Sequence, residues 1–230
     1  LPFPADCALP TMLVARLSVT ELSTWPTRMN KVTTKFLAAG LILLLSGAAH
    51  AVDYVIDTKG AHAFIQFHIK HLGYSWLVGR FNRFEGEFSY DSKNPNAATL
   101  EVTIDTASID SNHAERDKHL RDDEFLDVKK FPEARFVSTS YRDLGDGKGE
   151  LQGELTLHGI TRALTIDVTH IGDGRDPWGG YRLGFEGRTS FALADFGIKR
   201  DLGPASKEVH LWLGIEGVRK KKWHPATGKP

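Results

Sequence analysis

The chain has almost no cysteine: Cys7 is the single one among 230 residues. Cys7 precedes a signal-peptide pattern, so we expect the mature chain to contain no thiol. A disulfide framework, a cysteine-ligated metal and a cysteine nucleophile are therefore excluded for the mature protein. An excess of either charge is also lacking, because 29 Lys and Arg residues balance 29 Asp and Glu residues.

Long hydrophobic runs are scarce, and the run Phe36–Leu45 is shorter than the roughly 20 residues that cross a bilayer as a helix. The run follows the basic stretch Met29–Lys35 and precedes Ala49-His50-Ala51. A charged region, a short apolar region and an A-x-A site in this order are typical of a secretory signal peptide. We therefore predict a signal peptide at 29–51, cleavage after Ala51 and a periplasmic location.

Residues 1–28 have a mixed composition that is not typical of the region before a signal peptide's lysines. We interpret them as a leader from a mis-assigned start, with Met29 as the initiator and an expression or cloning remnant as the alternative. Without the first 51 residues, 25 basic residues face 27 acidic ones. Such a mildly acidic body argues against nucleic acid as a partner. The segment 219–230 is instead rich in lysine, and we expect a flexible basic tail that could make peripheral contact with a membrane.

The region 52–218 has the alternating apolar pattern of half-buried strands. Phe67 between Gln66 and His68 is one example among about eight or nine such segments. Short turns rich in Gly and Pro separate them, which favours antiparallel neighbours and an all-β domain. A change of parity at Asn82-Arg83 predicts a bulge. Glycines within long strands favour closure into a barrel, with a sandwich as the alternative.

The segment Asn112–Phe125 is the single helical pattern in this β-rich region. Asn112 and Glu115 fit a capping box, which predicts a helix from His113 to about Asp122. On this helix Arg116, His119 and Leu120 share one face. Guanidinium and imidazole side by side suit an anionic or carbonyl-bearing ligand group. In the alternative interpretation, Arg116 pairs with Asp117 or Asp123 and His119 is structural, so the segment only closes the domain.

Metal binding and hydrolysis find little support in the sequence. His113 and His119 are six residues apart, and no pair of histidines with a carboxylate has ligand spacing. A G-x-S-x-G nucleophile motif is absent. We expect no metal, no cofactor and no catalytic residues. The enzyme alternative is a reaction on a bound lipid or small molecule through Arg116, Asp117 and His119.

Several runs resemble a known family and together span essentially Val52 to Val218. They are His62-Ala63-Phe64, His71-Leu72-Gly73-Tyr74-Ser75-Trp76, Asn112-His113-Ala114-Glu115-Arg116-Asp117-Lys118-His119-Leu120, Phe131-Pro132, Gly153-Glu154-Leu155-Thr156-Leu157-His158-Gly159-Ile160-Thr161, Asp176-Pro177-Trp178-Gly179-Gly180 and Asp201-Leu202-Gly203-Pro204-Ala205-Ser206. The chain is similar to the YceI family, and closely resembles its periplasmic enterobacterial type.

This resemblance implies a lipocalin-like, eight-stranded antiparallel barrel with one short helical segment. It also implies an elongated apolar cavity that binds a long polyisoprenoid or an isoprenoid quinone. Each buried CH₂ of such a tail contributes roughly 0.8 kcal/mol, so a long chain needs little polar help to bind. We expect a carrier or store of this lipid, either monomeric or homodimeric. Besides the enzyme, the remaining alternative is an envelope stress protein that acts through protein partners.

The ligand-binding residues that we predict come from the helical segment, the His71–Trp76 loop and neighbouring aromatic positions. They are His71, Trp76, Phe84, Asn112, Arg116, His119, Leu120, Phe125 and Phe131.

Overall fold

The structure is a computed structural model and describes residues 51–221. The predicted leader, nearly all of the predicted signal peptide and the tail from Lys222 onward lie outside the described residues. Within the described part, no helix is long and apolar enough to cross a membrane.

The described residues form eleven β-strands and one α-helix. The strands are β1 (Val52–Ile56), β2 (Phe64–His71), β3 (Ser75–Phe81), β4 (Phe84–Tyr90), β5 (Thr99–Asp105), β6 (Ile109–Asp110), β7 (Glu133–Gly145), β8 (Lys148–Leu157), β9 (Ile160–Arg175), β10 (Tyr181–Ala192) and β11 (Glu208–Arg219). The helix is α1 (Ala114–Arg121), and 3₁₀ turns occur at Pro95–Ala97, Thr106–Ser108, Leu193–Phe196 and Pro204–Ser206.

All strand pairs are antiparallel and the sheet closes on itself, because β11 pairs with both β10 and β1. Three pairs of consecutive strands behave as single long strands that are interrupted once. β1 and β2 both pair with β11. β4 pairs with β1, and β3 pairs with β2. On the other side, β5 pairs with β4, and β6 pairs with β3. With β7 to β11 this gives a ring of eight, so the predicted eight-stranded antiparallel barrel is confirmed and the sandwich alternative is wrong.

Two of the three interruptions, the one between β3 and β4 and the one between β5 and β6, are bonded to each other. The irregularity expected at Asn82-Arg83 is present as the break between β3 and β4. Ser108, in the break between β5 and β6, bonds this site: Asn82 N donates to Ser108 O at 3.1 Å, and Arg83 N donates to Ser108 Oγ at 3.0 Å. Ser108 is buried, so its polar atoms need these partners. The two breaks therefore stabilise each other.

One end of the barrel is filled by side chains, and we call it the closed end. Tyr54 of β1 stacks on Phe88 of β4 with ring centroids 4.9 Å apart, and Phe185 of β10 meets Phe88 edge-on at 5.9 Å. Leu183 and Val102 complete the packing with 3% and 6% exposure. Large aromatic rings fill the interior of an eight-stranded barrel, so little space remains at this end.

A network of ion pairs covers the closed end. Arg182 donates to Asp57 at 2.6 Å, to Glu216 at 2.5 Å and to Asp176 at 3.0 Å. The hydrogen bond from Arg182, with a further one from the backbone of Gly60, lowers the pKa of Asp57 to about 2. Asp57 lies in the turn between β1 and β2, so the network fixes the interruption of that long strand to β10 and β11.

The D-P-W-G-G run belongs to the same network. Asp176 Oδ1 accepts hydrogen bonds from the backbone N–H groups of Trp178 at 3.0 Å and Gly180 at 2.7 Å, while its Oδ2 accepts from Arg182. The bond from Gly180 is the largest reason why the pKa of Asp176 is lowered. This motif is thus explained by the turn that joins β9 and β10 at the closed end.

Candidate functional site

The opposite end of the barrel contains a cavity of about 630 Å³. This volume lies in the range of roughly 300–1,000 Å³ that is usual for small-molecule sites. Most lining side chains are aliphatic or aromatic. They include Ile65, Phe67 and Ile69 of β2, Leu77 and Phe81 of β3, Leu155 and Leu157 of β8, Phe191 of β10, Ile198 after β10, and Val209 and Leu211 of β11. The interior therefore suits an apolar ligand.

The cavity opens to solvent on one side, which we call the mouth. It is marked by the lining residues that are also exposed: Lys70, His71, Leu72, His119, Arg200 and Asp201. Two segments flank the mouth besides the β2–β3 turn, namely the α1 segment and the segment between β10 and β11. The polar groups of the cavity are thus concentrated at its entrance, and the apolar groups lie deeper.

Helix α1 begins one residue later than the predicted capping box. The N-cap is His113, whose Nδ1 accepts from Arg116 N at 3.2 Å. Asn112 instead adopts a positive φ of 61°, and its N–H donates to Asp110 Oδ1 at 2.8 Å. The prediction of Asn112 as N-cap is therefore wrong, because Asn tolerates the left-handed conformation that the turn into the helix requires. The bond from Asn112 is the largest reason why the pKa of Asp110 is lowered.

Arg116 and Asp117 are both bonded to Ser111. Arg116 Nε donates to Ser111 Oγ at 2.7 Å, and its Nη2 donates to Ser111 O at 2.6 Å. The buried Asp117 accepts from the N–H and hydroxyl of Ser111 at 2.8 and 2.5 Å. Within residues 51–221, neither Asp117 nor Asp123 forms an ion pair with Arg116. Arg116 therefore orders the segment, as the structural interpretation predicts, but it does so through Ser111 and not through an aspartate. Arg116 also lines the cavity.

His119 joins the α1 segment to the other side of the mouth. Its Nε2 donates to Glu124 Oε2 at 2.6 Å, and Glu124 Oε1 accepts from Arg200 at 2.9 Å. The bond from His119, helped by the charge of Arg200, lowers the pKa of Glu124. The imidazole also meets the ring of Phe125 edge-on at 5.0 Å. His119 is thus paired with Glu124 and not with Asp117, which differs from the arrangement that the enzyme alternative needs.

Five of the nine predicted ligand-binding residues line the cavity: His71, Arg116, His119, Leu120 and Phe125. The other four lie elsewhere. Trp76 is on the outer face of β3, where Lys70 lies 5.5 Å from its ring, and Phe84 packs against the closed-end cluster. Asn112 is exposed in the turn before α1, and Phe131 packs on His158 at 4.6 Å. Contact of these residues with a ligand stays a prediction.

The structure adds residues that sequence reasoning missed. Lys70 and Arg200 bring two cations to the mouth, and Leu202 adds an apolar wall. Arg121 holds the end of α1 through bonds to the carbonyls of Ala107 at 2.8 Å and Ile109 at 2.5 Å. Arg200 directly precedes the D-L-G-P-A-S run and Leu202 belongs to it, so this family motif could have indicated both residues. Lys70 alternates with the inward-facing residues of β2, so the sequence gave no signal that it lines the cavity.

Within residues 51–221, a second cavity and a group of possible metal ligands also resemble binding sites, but the geometry of each argues against a ligand. A second cavity, at the closed end, has only about 70 Å³ and shares no lining residue with the first. Asp57, His62 and Glu216 bring three potential metal-ligand atoms within 4.8 Å of one another. However, Arg182 already bonds both carboxylates, so a cation occupies the position that a metal ion would need.

Comparisons with known proteins match this geometry. A family model described as a YceI-like domain matches residues 54–216. A UPF0312 protein of Shewanella sp. (strain W3-18-1) is 59% identical over 181 residues, which covers 79% of this chain and 95% of that protein. The crystal structure of a Campylobacter jejuni YCEI protein is similar with a TM-score of 0.60 and 27% identity, over 66% of this chain and 91% of that one. A polyisoprenoid binding domain from Saccharophagus degradans shares the fold with a TM-score of 0.53 and 14% identity, over 74% of this chain and 100% of that one.

Proposed function

The chain belongs to the YceI family, and from this premise we propose that it binds a long-chain polyisoprenoid lipid or isoprenoid quinone in its barrel and carries or stores it in the periplasm. The observation that carries the proposal is the apolar cavity of about 630 Å³, open at the mouth and ended by the aromatic packing of the closed end. A prenyl tail would lie inside the barrel, where each buried CH₂ contributes roughly 0.8 kcal/mol.

The polar head would remain at the mouth. Lys70, Arg116 and Arg200 bring three positive charges to the cavity lining, against one carboxylate of Asp201. Glu124 balances part of the charge of Arg200. A head group with phosphate or carbonyl oxygens fits this set, because guanidinium and ammonium groups donate hydrogen bonds and accept none.

The name of the Saccharophagus degradans domain supports the ligand class, since that protein is described as binding polyisoprenoids. Binding is favoured over catalysis by the partners of the polar residues. Asp117 is engaged by Ser111 and His119 by Glu124, so the acid and the base of the enzyme alternative are not paired. The periplasmic part of the proposal rests on the signal-peptide pattern at 29–51 and is tested by cell fractionation.

Extraction of the purified protein followed by lipid mass spectrometry tests the binding. We expect a prenyl lipid in the wild-type protein. The double variant Ile69→Trp/Leu211→Trp should lack it, because both side chains line the cavity and the larger rings occupy its volume. Leu144→Trp is the matched control, since Leu144 is exposed on the barrel exterior and the change leaves the cavity intact.

The proposal is contradicted if the wild-type protein is empty after expression and fails to take up prenyl lipids added in detergent. Equal lipid content in the cavity-filled variant and the wild-type protein would also contradict it, because the ligand would then lie elsewhere. Circular dichroism of each variant confirms that the barrel has folded.

A further inference from the structure

Exposed apolar side chains are concentrated on one hairpin of the barrel. The described residues include eight strongly exposed large apolar side chains, and four of them lie in a single seven-residue stretch of the β2–β3 hairpin, 72–78. These are Leu72 (58% exposed), Tyr74 (87%), Trp76 (50%) and Val78 (45%). Trp76 and Val78 are two residues apart on β3, so they share its outer face and form a ridge with the turn. We call these four residues the hairpin ridge.

The charge of this hairpin has one sign. The stretch between Phe64 and Phe81 contains Lys70 and Arg80 but no Asp or Glu. Lys70 lies over the ring of Trp76 at 5.5 Å, so a cation and an amphipathic aromatic ring are presented side by side. Tyr and Trp rings are enriched at the membrane–water interface, and Lys and Arg are attracted to anionic head groups.

The hairpin ridge is continuous with the mouth of the cavity. Lys70, His71 and Leu72 line the cavity and lead directly into the turn that bears Tyr74. Arg200, on the other side of the mouth, adds a further exposed cation. Its charge is partly balanced, because Asp201 follows it in the chain and Glu124 forms an ion pair with it. The surface best suited to a bilayer is therefore the one through which a lipid would enter.

We propose that the hairpin ridge docks on the surface of an anionic phospholipid bilayer and brings the mouth of the cavity against it. The proposal rests on the proposed function for its purpose, which is lipid exchange, but the docking stands on the hairpin alone. It differs from membrane contact through the basic tail. β11 ends at Arg219, which pairs with Tyr54 of β1, so the tail begins at the closed end. Lys220 is moreover paired with Glu87.

Vesicle co-sedimentation with the full chain tests the docking. The probes are vesicles of phosphatidylglycerol with phosphatidylcholine, and vesicles of phosphatidylcholine alone. The variant Leu72→Asp/Tyr74→Asp should bind the anionic vesicles about tenfold more weakly or worse, because two apolar contacts become negative charges. Leu72 has a φ of 52°, which Asp tolerates, so the change adds no backbone strain.

The matched control is Ile171→Asp/Trp178→Asp. Both side chains are exposed, at 66% and 77%, and lie at the closed end. This variant has the same net charge and keeps the same tail, and we expect it to bind vesicles like the wild-type protein. An equal loss in both double variants, or a loss that follows only from removing the lysines of the tail, would overturn the docking proposal.

Quenching by brominated lipids gives a second readout. The loss of quenching on Trp76→Phe, with quenching kept on Trp178→Phe, would place the hairpin at the bilayer; the reverse result would overturn the proposal. A dimer in solution that Leu72→Asp/Tyr74→Asp dissociates, with no vesicle binding by the wild-type protein, would also overturn it and assign the ridge to a second copy of the chain.

The two proposals fail in different ways. A protein that contains prenyl lipid but does not bind vesicles contradicts the docking alone. A protein with an empty cavity that binds vesicles through the hairpin supports the docking and contradicts the proposed function. Uptake of prenyl lipid from detergent by Tyr74→Asp/Val78→Asp, two exposed ridge residues that do not line the cavity, with vesicle binding lost, supports both.

Discussion

The two ends of the barrel are built from the same eight long strands and yet have opposite interiors. At the closed end, Tyr54, Phe88 and Phe185 pack across the interior and leave a cavity of about 70 Å³. At the mouth end, the aliphatic side chains stay on the wall and enclose about 630 Å³. The number of strands therefore sets the diameter of the barrel, whereas the side chains decide whether it is solid or hollow.

The elements beside the interior also differ between the two ends. A Cβ on Gly217 of β11 would overlap the ring of Phe88, so the glycine makes room for the aromatic packing at the closed end. At the mouth end, α1 and the segment between β10 and β11 lie beside the opening. Arg116 and Arg121 hold α1 there by bonds to the backbone of Ser111, Ala107 and Ile109. The helix forms part of the wall without filling the interior.

The largest effect should come from truncating leucines at the two ends. Leu183→Ala at the closed end should lower the free energy of unfolding by about 3 kcal/mol, because Leu183 is only 3% exposed and its removal leaves a new void. Leu211→Ala should cost about 1 kcal/mol, since Leu211 already borders a cavity. Urea unfolding of the lipid-free protein measures both. Equal losses would show that the ends are equally packed.

A smaller effect is expected from the ion pairs of the closed end. Asp57→Asn should lower the free energy of unfolding at pH 7 by about 2 kcal/mol, because the acceptor of the hydrogen bond from Arg182 loses its negative charge. The pKa of Asp57 falls from 3.8 to about 2 on folding. The stabilisation is therefore fully present above about pH 4 and is lost as the pH falls through about 2.

The difference between the wild-type protein and Asp57→Asn should accordingly shrink between about pH 4 and pH 2 in acid unfolding measurements. A difference that stays constant over this range would show that Asp57 acts by packing and not by its charge.

The smallest effect on stability is expected at the mouth. Glu124→Gln weakens the bonds to His119 and Arg200, but these side chains are about half exposed and such pairs contribute little. The Tm should stay within about 2 °C of the wild-type value. Lipid release should nevertheless become faster, because Glu124 joins the two segments that flank the opening. A large fall in Tm would place the mouth among the stabilising regions and would contradict the comparison of the two ends.

The antiparallel strands could be predicted from the sequence because their signals are local, whereas the closed eight-stranded barrel was implied by the family resemblance. Alternation such as Ile65, Phe67 and Ile69 is enforced by burial on one face, and short turns allow only antiparallel neighbours. The helix was predicted for a similar reason, and the shared face of Arg116, His119 and Leu120 does line the cavity.

The rest depends on contacts that are distant in the sequence. Arg182 meets Asp57 from 125 residues away, and Ser108 joins two strand breaks across 25 residues. No local pattern indicates these partners. The N-cap was misplaced by one residue because Asn112 and His113 both offer a side-chain acceptor, and only the fold decides which one faces the free N–H groups of the helix. Phe84 and Phe131 are aromatic, as expected of residues in a cavity wall, but Phe84 packs against the closed-end cluster and Phe131 packs on His158.

The pairing of Tyr54 with Arg219 has a further consequence for how this molecule can be used or held. The first and last strands of the barrel are neighbours, and both leave it at the closed end. A linker, a fused domain or an immobilisation tag joined directly to Val52 or Arg219 would therefore hold the barrel by its closed end. The mouth of the cavity would then point away from the point of attachment and would stay accessible to a ligand.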